Sequence, residues 1–217
     1  MGLGIRAKVN CAWNSLKAGV GVGEYWYWVP DRQVEQAIPI APLVYPLRYD
    51  ILIRKDFFDL YAANRDLFHA DLDAFLAKAK DHVYYEWFTK VLLARYEPRS
   101  MDDERRAMAL FQDRVMRSAE LHELIRINGF DQRHPIIPFT GMKILPADSG
   151  KYTGQKYYMG DGCHRLACLI SMGYTTLPLG YFRVKCFSTL QPFDNTTMLE
   201  KHLAIRWPDS LIEGLQA

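Results

Sequence analysis

Between Lys156 and Pro178 the chain passes from a short apolar stretch, Tyr157-Tyr158-Met159, through Gly160-Asp161-Gly162-Cys163-His164-Arg165, into an apolar run closed by Gly173. This stretch constrains the fold most. A helix is expected from Cys163 to Met172 after the Gly160-Asp161-Gly162 turn, with Gly173 as its C-cap. A strand, a glycine-bearing turn and a helix start make an anion site. First-turn N–H groups lack helical acceptors, and the aligned peptide dipoles add partial positive charge. Gly160 and Gly162 let backbone approach a phosphate closely. Arg165 adds a guanidinium that grips phosphate oxygens in pairs, and His164 a further hydrogen bond. Asp161 does not suit bare phosphate and is read as a Mg²⁺ ligand or as a group orienting a hydroxyl. Cys163 is a candidate reactive thiol, since the helix start and Arg165 both favour a sulfur anion; its alternative is a small residue accepted at a helix start. Cys168, beside Leu169, reads as core.

Helical periodicity precedes this segment. Phe57, Leu60, Tyr61, Leu72, Phe75, Leu76 and Ala79, then Trp87, Phe88, Val91, Leu92 and Tyr96, predict two or three amphipathic helices over 48–96, with Asp56 as an N-cap and the aromatic rings as core. After Pro98, Ser100 with Glu104 resembles a helix N-terminus, and Met108, Phe111, Val115, Ala119, Leu121 and Ile125 carry the pattern to Asn128-Gly129. Pro135 to Phe139 predicts a strand, Gly141 to Gly154 a loop, Lys156 to Met159 a strand, Thr176 to Val184 a closing strand, and Met198 to Ile205 a last short helix.

The first 47 residues are rich in glycine, proline and aromatics. Gly19, Gly21 and Gly23 alternate with valines, but no Lys and Ser or Thr follow at P-loop spacing. This segment reads as an irregular layer or extended arm. Its cluster Tyr25-Trp26-Tyr27-Trp28 is a candidate protein-partner surface, pocket wall or packing element.

Composition excludes several classes. Of 217 residues, 49% are hydrophobic and 24% charged, which allows a real core and argues against global disorder. A net charge of +2 is too small to indicate nucleic-acid binding by itself. The four cysteines, Cys11, Cys163, Cys168 and Cys186, form no CxxC pair and suggest neither a thiolate metal site nor a disulfide framework, so a reduced, cytoplasmic setting is expected. No apolar run reaches the roughly 18 residues of a membrane span, and Met1-Gly2 lacks the Ser or Thr of a myristoylation start at Arg6.

The string Gly160-Asp161-Gly162-Cys163-His164-Arg165, in the order helix, Asn128-Gly129-Phe130, His134-Pro135-Ile136, Tyr157-Tyr158, motif helix, Leu177-Pro178, resembles the ParB/sulfiredoxin superfamily over about residues 97–185. The resemblance implies an α/β (α+β) core with a mixed sheet and the motif helix packed on it, preceded by a mainly helical extension; the division expected is 1–96 and 97–217. It is specific for fold rather than for reaction. Sulfiredoxins carry G-C-H-R, matched by Gly162-Cys163-His164-Arg165, and use ATP with the cysteine as thiol reactant. Kinases of the free-serine-kinase type carry D-G-H-H-R, matched at Asp161, Gly162, His164 and Arg165, with Cys163 in place of the first histidine. ParB partition proteins bind CTP and carry a helix-turn-helix after the motif domain, for which this chain leaves too little sequence after Val184. Asp161 favours phosphoryl transfer. The kinases use an acidic base ahead of the long helix; Glu97 in Tyr96-Glu97-Pro98 takes that place here, with Asp102 and Glu104 as rivals.

Three functions follow as expectations. The first is an ATP- or ADP-dependent kinase, with Mg²⁺, acting on a hydroxyl of a small metabolite or sugar-like compound. The second is a nucleotide-binding module that recognises a partner without turnover. The third is a sulfiredoxin-like ATP-dependent thiol enzyme.

Overall fold

The computed structural model describes residues 25–203. The Gly19-Gly21-Gly23 string, Cys11 and the Met1-Gly2 start lie outside the described residues. Helices dominate the first half and strands the second. A four-stranded mixed sheet has the order β1 (Trp26–Trp28), β6 (Lys185–Leu190), β3 (Ile137–Ile144), β4 (Tyr158–Asp161). Strands β3 and β6 run parallel, while β1 pairs with β6 and β4 with β3 in antiparallel fashion. A separate antiparallel pair joins β2 (Ala37–Pro39) to β5 (Thr176–Pro178). No described helix is long and apolar enough to cross a membrane.

Helix α1 (Ala41–Val44) leads into α2 (Asp50–Ala63), α3 (Arg65–Ala70), α4 (Leu72–Lys80) and α5 (Val83–Trp87). The last continues as a π-helical turn, Phe88–Leu93, into α6 (Ala94–Tyr96). The long α7 (Glu104–Asn128) follows, then the motif helix α8 (Cys163–Ser171) and α9 (Thr196–Leu203). Helix α2 explains the architecture. Ile51, Leu52 and Phe58 pack into one apolar cluster with Leu166, Ala167, Leu169 and Ile170 of α8. Ile53, Phe57 and Tyr61 enter a second cluster with Phe75, Trp87, Phe111 and Val115. A helix buried on two sides carries apolar residues in runs rather than on one stripe. Each fully buried Ile, Leu or Phe contributes about 1.5–3 kcal/mol, so α2 ties the helical layer to the sheet. Residues on both sides of position 96 contribute to both clusters.

Several local expectations need correction. Asp56 is no N-cap: α2 begins six residues earlier at Asp50, and Asp56 sits within it beside Lys55 at 3.6 Å. Asp103, not Ser100, caps α7, accepting from the Arg106 N–H at 3.0 Å. Ser100 is buried in a 3-10 turn, Pro98–Ser100. Strand β3 runs past Gly141 to Ile144 because its parallel pairing with β6 brings Leu190 so close that a Cβ at Gly141 would stand 2.8 Å from Leu190 Cβ. The glycine permits strand contact there instead of starting a loop. The segment expected as one closing strand divides: β5 ends at Pro178, Gly180 turns with φ +97°, and the long closing strand is β6. Gly129 ends α7 with φ +74°, and β1 is formed by the aromatic cluster itself.

Candidate functional site

Strand β4 delivers Gly160 and Asp161 to the start of α8. The ring of Phe139 lies against Gly160, where a Cβ would come within 2.2 Å of it. Gly162 is the N-cap, with φ +89° in the left-handed region, and a Cβ there would lie 3.1 Å from Ile136 Cα. Conformation and space both demand glycine. Leu166 N–H donates to Gly162 O at 2.9 Å and opens the helix. The N–H groups of Cys163, His164 and Arg165 precede any helical acceptor.

Five of the six expected motif residues converge on one pocket. Asp161, Gly162, Cys163, His164 and Arg165 line a cavity of about 1100 Å³ between α8 and the C-terminal end of α7, whereas Gly160 lines a different cavity. The Asp161 carboxylate is exposed, and its Oδ1 accepts from the Gly162 N–H at 2.7 Å. Arg165 donates to the carbonyl of His134. No group of three or more His, Cys, Asp or Glu side chains able to hold a metal occurs among the described residues. Two carboxylates line the pocket, Asp131, which pairs with Arg133, and Asp161, which fits a Mg²⁺ ion that takes its other ligands from phosphates and water.

The helical layer adds residues that the motif does not announce. Arg48 donates from Nη2 to Cys163 Sγ at 3.0 Å and from Nη1 to Met159 O at 2.9 Å. Its Nε reaches Asp50 Oδ1 at 3.0 Å, and Arg54 donates to Asp50 Oδ2 from one turn further along α2. Burial acts to raise the Asp50 carboxyl, but the charges of Arg54 and Arg48 and their hydrogen bonds hold it well below the usual carboxylate range. Burial acts against the Arg48 charge too; Asp50 and the Cys163 contact outweigh it, so Arg48 stays firmly cationic. Arg54 lies with its Cζ 4.5 Å from the ring centre of Trp87, and its buried Nε has no hydrogen-bond partner.

His164 is the second junction. Its Nε2 lies 2.7 Å from Arg114 Nη2. An arginine can only donate, so Nε2 carries the lone pair and Nδ1 the proton. Burial, followed by the charges of Arg54 and Arg114, holds the imidazole well below its ordinary value of 6.5, so His164 is neutral. Arg114 also donates to the Tyr84 hydroxyl at 3.0 Å and, among the described residues, pairs with no carboxylate. Arg48, Arg54 and Arg114 against Asp50 alone leave two uncompensated positive charges around a neutral imidazole.

A second cavity of about 580 Å³ adjoins the first, and Arg54, Leu121 and His164 belong to the walls of both. The π-helical turn supplies Phe88, Leu92 and Leu93 to it, and Glu97 stands on its rim. Glu97 is exposed, with Oε2 3.5 Å from Arg106. The structure therefore does not bring Glu97 to Asp161; it sets them on the two sides of the Arg54–His164 wall. Asp102 and Glu104 are exposed and line neither cavity, and Glu104 lies 3.7 Å from Lys80. Sequence reasoning passed over Arg48, Asp50, Arg54 and Arg114. Their signal is charge inside apolar runs: Asp50 and Arg54 interrupt Ile51-Leu52-Ile53 and Phe57-Phe58 at an i,i+4 spacing. Comparison with protein families, with curated proteins and with solved structures finds no match to this chain.

Proposed function

We propose that this chain is a phosphotransferase that moves a phosphoryl group from ATP or ADP to a hydroxyl of a small metabolite or sugar-like compound. The supporting observation is the pair of cavities meeting at one cationic wall. The larger holds the nucleotide with its phosphates toward Gly162, His164 and Arg165. The smaller holds the acceptor, with Glu97 on its rim. Phosphoryl transfer asks mainly for in-line placement and for fixed positive charge around the transferred group. Arg54 and Arg114 supply that charge from a wall too constrained to reorganise, which is the condition under which such groups act most strongly. Neutral His164 donates no charge of its own and holds Arg114 in place. Glu97 accepts the proton of the acceptor hydroxyl, the acceptor oxygen bonds to phosphorus, and the bond from phosphorus to the nucleotide's leaving oxygen breaks. Asp161 would hold a Mg²⁺ ion in part, and the ion would supply charge neutralisation at the phosphates. The motif's resemblance to free-serine-kinase-type proteins agrees with this reading.

The test begins with calorimetric titration of ATP, ADP and CTP in Mg²⁺, for wild type and Arg165→Ala, followed by an acceptor screen with the preferred nucleotide. Binding should fall at least tenfold in Arg165→Ala. Arg114→Met should reduce kcat by about 10²–10³-fold with little change in nucleotide affinity. No binding of any nucleotide defeats the reading; binding without turnover on any acceptor leaves a nucleotide-binding module.

One observation favours a second reading. Cys163 faces the larger cavity and receives a hydrogen bond from Arg48, an arrangement suited to the sulfiredoxin-like thiol chemistry that Gly162-Cys163-His164-Arg165 also resembles. Cys163→Ser against Glu97→Gln separates the two. The kinase loses turnover in Glu97→Gln and largely keeps it in Cys163→Ser, and the thiol enzyme does the reverse.

A further inference from the structure

Gly160 borders a third cavity, of about 560 Å³, which the phosphotransfer reading does not use. Its size is that of a small-molecule site. Two features define its chemistry. The wall is aromatic: Phe139 and Phe187 meet edge to face at 5.0 Å on the sheet, Tyr158 stands beside them, and Phe193 closes the far side. Among the described residues its only charged side chains are cations, Arg48 at the floor and Arg95 at the mouth, and no Asp or Glu lines it.

The two arginines differ in what they have left to give. Arg48 is committed to Asp50, Met159 O and Cys163, and reaches this cavity only as a charge 5.5 Å from the Phe193 ring centre. Arg95 has no carboxylate partner among the described residues. Its guanidinium lies 5.9 Å from the Phe193 ring and 5.4 Å from that of Tyr96, and both rings are exposed at 40% and 66%. Exposed aromatic rings flanking an unpaired guanidinium at the mouth of a ring-lined, acid-free cavity match one ligand class. A planar ring fits among Phe139, Phe187 and Phe193, and an attached anionic group meets Arg95.

We infer that this cavity binds a small aromatic acid, one or two fused rings bearing a carboxylate or phosphate, with Phe193 as the stacking platform and Arg95 as the anion contact. Through Arg48 the site backs directly onto Cys163 and Asp50. The inference does not depend on the phosphotransferase reading, and its test distinguishes the two sites.

The probe is 1-naphthoate, titrated calorimetrically into the full chain, with 1-naphthamide as the uncharged control and cyclohexanecarboxylate as the non-aromatic one. The variants are Phe193→Ala and Arg95→Gln, both at surface-accessible positions outside the proposed phosphotransfer machinery. Wild type should bind 1-naphthoate at least about tenfold more tightly than either control, and each variant should lose about tenfold. Saturating ATP should leave the naphthoate affinity unchanged. Failure of wild type to bind, equal affinity for the controls, unaltered binding in both variants, or displacement by ATP would each overturn the assignment, the last by placing the probe in the larger cavity. Circular dichroism of each variant confirms that a lost signal reflects the site and not the fold.

Discussion

Asp50→Asn tests the charge arrangement at the seam between α2 and α8 most directly. Asp50 is 4% exposed and, among the described residues, is the sole carboxylate partner of two arginines that are themselves 8% exposed. Removing one side of a buried ion pair typically costs 3–5 kcal/mol, because the charge left behind cannot reach water. Here two guanidinium groups lose their carboxylate at once, while Arg48 retains only Met159 O and Cys163. The expected destabilisation is thus about 3–5 kcal/mol, out of a total of about 5–15 kcal/mol for a native protein. At about 2–4 °C per kcal/mol for a chain of this size, Tm should fall by roughly 6–20 °C. Urea denaturation and calorimetry measure both quantities. Asp50→Asn combined with Arg54→Met should recover part of the loss, since one orphaned cation is removed with the partner it needed. Acid titration adds a signed check. The Asp50 pKa is depressed on folding, so its contribution is complete above the unfolded value near 3.8 and is lost as pH falls from there toward the folded value. The gap in stability between wild type and Asp50→Asn should therefore narrow below about pH 4. A loss under about 1 kcal/mol at neutral pH would mean that Asp50 is solvated and the buried cluster is not as described.

Three further outcomes follow from the site. Gly162→Ala forces a left-handed φ on a side chain that also meets Ile136 Cα, so it should cost about 1–3 kcal/mol by denaturation and weaken nucleotide binding in calorimetry; a neutral effect would remove the close-packed N-cap. Iodoacetamide at pH 8, read by peptide mass spectrometry, should label half-buried Cys163 and spare Cys168 in the folded protein, because burial excludes reagent and pushes the Cys168 thiol up to about 12; native labelling of Cys168 would contradict its burial. His164 is held neutral by burial and by Arg54 and Arg114, so the unfolded chain takes up its proton first. Its contribution is complete above about pH 6.5 and declines as pH falls below, and His164→Gln, whose amide oxygen can still accept from Arg114, should flatten that limb of the stability profile. An unchanged profile would mean that the imidazole titrates normally.

The motif helix was legible because every local signal agreed. Gly162 and Gly173 bracket an apolar run at helical period, and both adopt positive φ at the two ends of α8. The long α7 was legible for the same reason, from Met108 to Gly129. The strands beyond the motif were less so. The sequence Lys185-Cys186-Phe187-Ser188-Thr189-Leu190 alternates weakly, since one side meets the core and the other a half-covered aromatic face. Pairing with β1 on one side and β3 on the other makes it a central strand, and those pairings are tertiary facts. Gly141 misled for a related reason: a glycine in a strand looks like a break until the neighbour it admits, Leu190, is known.

The motif gave one half of the site and concealed the other. Hydrogen-bond donors at a helix start can be inferred from a hexapeptide, because backbone geometry alone puts them there. Arg48, Arg54 and Arg114 lie 115, 109 and 49 residues before Cys163 in the chain, and only the packing of α2 and α7 against α8 brings them to it. What the sequence did display was an oddity of patterning. Asp50 and Arg54 sit among residues buried on two sides of a helix, and an apolar helix facing two cores has no solvated face on which to discharge them. Two such charges at i,i+4 spacing must find partners inside, and the pair they form is one charge short of satisfying Arg48 as well. A run of this kind beside a glycine-bearing helix start indicates that the helical layer contributes charge to the proposed site rather than merely covering it. Here Arg54 and the neutral His164 belong to the wall shared by the two adjoining cavities and Arg114 lines the smaller one, and the phosphotransferase proposal rests on that placement more than on the motif.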